Sequence, residues 1–121
     1  MRRLIAGVAV LACVLLVATG CGDDEAPPAE GSEPVSFEIT FEGDTVTPSG
    51  VEEKVARGQD VELVVEADAP GELHVHSTPE QQLSYAAGTT TLKVNLASQP
   101  PGVVDIESHT LDQLVLRLEI S

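Results

Sequence analysis

From Val35 on, the chain is dominated by runs in which apolar residues recur at every second position, a period that calls for sheets with one buried face and not for a helical core. "VSFEITF" sets Val35, Phe37, Ile39 and Phe41 on one side and Ser36, Glu38 and Thr40 on the other. "VELVVEA" turns Val61, Leu63 and Val65 inward, "TTTLKVNLA" turns Leu92, Val94 and Leu96, and "QLVLRLEIS" turns Leu114, Leu116, Leu118 and Ile120. Turn chemistry separates these runs at "GDTVTPSG", at Arg57-Gly58-Gln59-Asp60 and at "DAPG". The pattern predicts an all-β, antiparallel sandwich of about seven to eight strands with Greek-key connections, spanning 35–121. The one candidate for a helical turn lies around "PEQQLSY".

Ahead of this domain stands "MRRLIAGVAVLACVLLVATGC", with Arg2 and Arg3 before an apolar stretch from Leu4 to Val17 and then small residues. That is the layout of a secretory signal over 1–20, and the apolar stretch falls short of the roughly 20 residues a spanning helix needs. Its ending, "VATGC", resembles the lipobox of bacterial lipoproteins, which implies cleavage before Cys21 and attachment of a diacylglycerol to that thiol. Such a chain is expected on the extracytoplasmic side of the cell membrane, held there by lipid. Residues 21–34 follow as "CGDDEAPPAEGSEP", acidic and rich in Pro and Gly without large apolar side chains, so this segment reads as a flexible tether.

Twenty acidic residues against six basic give a net charge of -14, which repels phosphate backbones and excludes nucleic acid as a partner. Cations suit such a surface. Sulfur is scarcer still: Cys13, Cys21 and Met1 all precede the predicted domain. The domain therefore has no disulfide, no cysteine nucleophile, and neither thiolate nor thioether for a metal.

Within "ELHVHS", Leu73 and Val75 belong to the core, which turns Glu72, His74 and His76 outward. Side chains at i and i+2 of a strand stand roughly 6 to 7 Å apart on one face, close enough for two imidazoles to share an ion. In "GVVDIESH" the outward row is Val103, Asp105, Glu107 and His109. If the two strands are neighbours, all three histidines and several carboxylates gather on one patch, with Glu107 and Glu72 as fourth ligands or as partners that fix an imidazole tautomer. Against this stands the bland reading, in which a histidine on the wet side of a strand is simply solvated. The acidic clusters "GDDE" and "VEE" lack the ligand spacing of a calcium loop. No nucleophile elbow, phosphate loop or paired carboxylate points to catalysis, and Ser77 faces the core.

Taken together, "ITFEGDTVTPSG", "VARGQDVELVVEADAPGELHVHS", "AAGTTTLKVNL", "PPGVVDIESH" and "LVLRLEIS" resemble the small cupredoxin-like lipoproteins of actinobacteria, over nearly the whole stretch from Ser36 to Ser121. The resemblance implies a cupredoxin-like sandwich in which a histidine of a middle strand (His74 or His76) and one at the end of a late strand (His109) meet at one end of the fold. Blue-copper members also use a cysteine thiolate, which this stretch lacks, so an all-nitrogen-and-oxygen site for copper(II), or else zinc, is what the resemblance leaves. The expectation is a non-enzymatic metal-capture, buffering or delivery protein binding through His74, His76 and His109. The alternative is a metal-free structural or protein-interaction sandwich whose histidine face meets a protein partner at the cell surface.

Overall fold

The computed structural model describes residues 33–121; the predicted leader, Cys21 and most of the predicted acidic tether lie outside the described residues. The described residues form nine strands: β1 (Val35–Glu42), β2 (Thr45–Thr47), β3 (Val51–Val55), β4 (Val61–Ala67), β5 (Gly71–Val75), β6 (Gln81–Tyr85), β7 (Gly88–Val94), β8 (Gly102–Ser108) and β9 (Gln113–Ile120). They make two sheets, ordered β2-β1-β4-β7 and β3-β9-β8-β5-β6. Inward side chains from both fill one aliphatic core, in which Ile39, Leu63, Leu73, Ile106, Leu116 and Leu118 are fully buried.

The sandwich is all-β, as the alternation requires, but it is not antiparallel throughout. β1 pairs with β4 in parallel, from Val35↔Val61 to Phe41↔Ala67, and β3 pairs with β9 in parallel, from Val51↔Leu116 to Val55↔Ile120. Alternation reports which face of a strand is buried and carries no information on its direction. Direction is set here by the chain crossing from one sheet to the other at β2–β3, β3–β4, β4–β5, β6–β7 and β7–β8.

Two strands exceed the sequence reading. β2 is a three-residue edge strand inside "GDTVTPSG", with Val46 as its one buried side chain. β6 takes up the stretch read as a helical turn. It is an edge strand paired with β5 from Gly71↔Tyr85 to Val75↔Gln81. Its polar composition hides the period of two, and the Gln81 side chain supplies a further link by behaving as a peptide unit. That amide donates to the Asn95 carbonyl (2.8 Å) and accepts from the Asn95 N–H (2.9 Å).

One inward assignment also shifts. In the β8–β9 ladder Ile106 faces Leu116 while Glu107 faces Leu114, so Val115 is an extra residue in β9. At this bulge Val115 and Leu116 are both buried and Leu114 is only half-buried, which breaks the simple alternation predicted for "QLVLRLEI".

Candidate metal centre

β5 lies inside the five-stranded sheet between β8 and β6, so its outward residues have neighbours on both sides. Leu73 and Val75 are fully buried, and the alternation runs on past the strand to Ser77, which is 5% exposed. His74 and His76 therefore project from the outer face of the sheet. The His76 N–H still donates to the Asp105 carbonyl at 2.8 Å, which holds its backbone in register one residue beyond β5.

The five residues joining β5 to β6 are pinned from below. Ser77 Oγ donates to the Pro79 carbonyl (2.7 Å) and accepts from Gln81 Nε2 (2.8 Å), and the Thr78 N–H donates to Gln99 Oε1 (2.7 Å). This arrangement brings the exposed Glu80 back over the two imidazoles. His74 Nε2 lies 3.2 Å from Glu80 Oε2, and His76 Nδ1 lies 3.6 Å from Glu80 Oε1. The imidazole centroids are 4.3 Å apart with planes inclined by 35°. One donor atom from each of His74, His76 and Glu80 falls within 4.8 Å of the others.

The other nitrogen of His76 has its own carboxylate: Nε2 is 3.0 Å from Glu107 Oε2 of β8. Asp105, also on β8, is occupied elsewhere, since Arg117 Nε and Nη2 donate to its two oxygens at 2.7 and 2.9 Å. The Glu107 hydrogen bond is the main reason that the His76 pKa is raised above 6.5; burial opposes it, and the charges of Glu107 and Glu80 add to it. The Arg117 fork holds the Asp105 carboxyl below its ordinary 3.8.

His109 is exposed, on the outward row with Asp105 and Glu107 as the sequence predicts, but it stands apart from the converging donors. Its N–H donates to the Glu72 carbonyl at 3.1 Å, while Glu107 is the residue opposite His74. Antiparallel pairing thus carries His109 toward the start of β5, about 7 Å along the strand from His74 and farther from His76. Glu72 goes with it. The carboxylate that closes the group is Glu80, whose only sequence signal is weak, an acidic residue four positions after His76 in a loop of no period.

Auracyanin A, a "blue" copper protein from Chloroflexus aurantiacus, superposes on the chain with a TM-score of 0.51 at 14% identity, over 73% of this chain and 99% of that one. The fold is cupredoxin-like. A laccase from Pediococcus acidilactici superposes with the same score and identity over 76% of this chain, which corresponds to 27% of the laccase. A purple cupredoxin from Nitrosopumilus maritimus is also similar, with a TM-score of 0.46 at 12% identity over 69% of this chain and 98% of that one. No protein-family model and no curated protein matches the chain.

On this cupredoxin-like scaffold the donor set decides which ions fit. Residues 33–121 contain no cysteine and no methionine, so a copper-thiolate bond has no donor here. Two imidazoles and a carboxylate are a nitrogen-and-oxygen set suited to Cu(II) or Zn(II). Ligands at about 2.0–2.2 Å from one ion lie some 3 to 3.5 Å from each other, so the observed spacing asks only for small side-chain rotations. The candidate site is open to solvent on one side, where His76 is 38% and Glu80 65% exposed, which leaves room for a water or an exchanging ligand.

Proposed function

We propose that the protein is an extracytoplasmic, lipid-anchored cupredoxin-like domain that binds a divalent metal, copper(II) ahead of zinc(II), for capture, buffering or delivery. His74, His76 and Glu80 are the ligands of this reading, with Glu80 standing where the sequence suggested His109. Neither electron transfer through a thiolate nor catalysis is part of it. The observation that carries it is the convergence of those three donors within 4.8 Å on a cupredoxin-like sandwich. The acidic composition supports it by concentrating cations at the surface. The secretory leader and the Cys21 context support placement at the membrane.

A titration of the purified full-length protein in detergent with Cu(II), followed by calorimetry and electron paramagnetic resonance, tests the site. We expect one saturable equivalent with nitrogen ligation, abolished by His74→Ala with His76→Ala and retained in His109→Ala. Absence of a saturable equivalent, or its survival in the double variant, refutes the metal reading.

The second reading, a metal-free sandwich that meets a protein partner through this face, is favoured by one observation. The cluster is already internally paired, with His76 bridging Glu80 and Glu107. That reading predicts melting temperatures indifferent to Cu(II) and Zn(II), because a ligand that prefers the native state must stabilise it.

A further inference from the structure

Resting on the metal reading above, we propose that Glu107 is the positioning residue of the site: it fixes the proton of neutral His76 on Nε2 and so commits this imidazole to bind an ion through Nδ1. A neutral imidazole carries one N–H and one lone pair, and a nitrogen at hydrogen-bond distance from a carboxylate holds the proton while no ion is bound; His74 Nε2, 3.2 Å from Glu80, is in the same position and gives up its proton when an ion takes its place between the two. In His76 the shorter contact is Nε2 to Glu107, at 3.0 Å, against 3.6 Å from Nδ1 to Glu80. The lone pair is thereby left on the side of the ring that faces Glu80 and His74.

The two carboxylates differ in their mounting. Glu107 lies on β8 opposite His74, between Ile106 and Ser108, which are 0% and 1% exposed, so its backbone is fixed by core packing and by ladders on both sides. Glu80 arrives from the β5–β6 connection and is the more exposed of the two. A strand-mounted carboxylate suits orientation, and a loop-mounted one suits ligation that opens and closes. Asp105, the remaining carboxylate beside His76, does not compete for the ring because Arg117 engages both of its oxygens. Outer partners of this kind typically change metal affinity 10- to 100-fold.

The test uses the full chain, labelled with 15N in the imidazoles, at alkaline pH with chelator and then with Zn(II). In metal-free protein His76 is expected to show a protonated Nε2 and a bare Nδ1. Glu107→Leu is expected to move the ring shifts toward the tautomer mixture of an unrestrained imidazole, and Glu107→Gln, whose amide oxygen still accepts, to restore most of the difference. On adding Zn(II), the wild-type Nδ1 resonance should move, with affinity 10- to 100-fold weaker in Glu107→Leu and less reduced in Glu107→Gln. Thermal melts establish that the variants are folded. A proton on Nδ1 in the wild type, ring shifts unchanged in Glu107→Leu, or zinc bound through Nε2 each overturns the proposal. Because the tautomer is read without metal, a site that takes no zinc refutes the metal reading while the metal-free spectra still decide the role of Glu107.

Discussion

His76 has a carboxylate near each ring nitrogen, so when the ring is protonated in the metal-free protein Nε2 donates to Glu107 at 3.0 Å while the Nδ1 side faces Glu80 at an ion-pair distance of 3.6 Å. This is the physical content of its raised pKa, with the Glu107 hydrogen bond the largest cause. A raised pKa in the folded state means that the interaction stabilises the protein fully below pH 6.5 and is lost as pH rises through the higher folded value. The pair is half-exposed and screened, so its worth is on the order of 0.2–1 kcal/mol. Melts of the wild type and Glu107→Gln in chelator should therefore differ most at mildly acidic pH, by roughly 1–8 °C, and converge under alkaline conditions. Protons and metal compete for the same ring. Copper affinity should accordingly decline with falling pH from a point above the ordinary histidine value, which calorimetric titrations across pH 5–9 would reveal.

At the scale of the strands, the end of the sandwich opposite Glu80 is closed by an unusual contact between β5 and β6. Tyr85, buried on β6, stacks on Phe41 of β1 with centroids 4.9 Å apart and packs against Gly71, where a Cβ would overlap its hydroxyl and ring. Gly71→Ala must displace the ring and disturb the stack, an overpacking cost of about 1–3 kcal/mol that should be largely absent in a Tyr85→Ala background. Denaturant melts of the single and double variants measure that coupling. This contact illustrates what the residues alone could and could not convey. Period two placed Leu73, Val75, Val104 and Ile106 in the core and turned His74, His76 and Glu107 outward, because every second position of a half-buried strand must be apolar. It could not announce β6, where two glutamines and a serine mask the alternation, or the extra residue at Val115 that half-exposes Leu114. Nor could it place Glu80, whose position depends on a loop fixed by Ser77, Thr78 and Gln99. His109 lies on the outward row but beside Glu72 and not beside His76, a placement that spacing within a strand does not give because it says nothing about the register between strands.

For the molecule as a whole, the topology relates the site to the predicted anchor. β1 begins beside the start of β4, and β5 runs back toward that same end, so Val35 and Glu80 share one end of the sandwich while Tyr85 and His109 lie toward the other. A pocket lined by Pro34, Asp60, Val61 and Val94 marks where the chain enters, and Asn95, next to Val94, is the residue bound by the Gln81 amide close to Glu80. If Cys21 carries lipid, the proposed ligands therefore sit at the end of the domain joined to the tether. An extended chain at roughly 3.1 Å per residue sets how far that end can stand from the bilayer. The proposed anchor and the proposed site are chemically separate, because lipid attachment would use the thiol of Cys21 and ligation would use imidazole and carboxylate. Cys21→Ser should accordingly move the protein from the detergent phase to the aqueous phase in a Triton X-114 partition of expressing cells, and leave the Cu(II) stoichiometry of the purified protein unchanged. Retention of the variant in the detergent phase would show that an uncut apolar leader, and not a lipidated cysteine, holds the chain in the membrane.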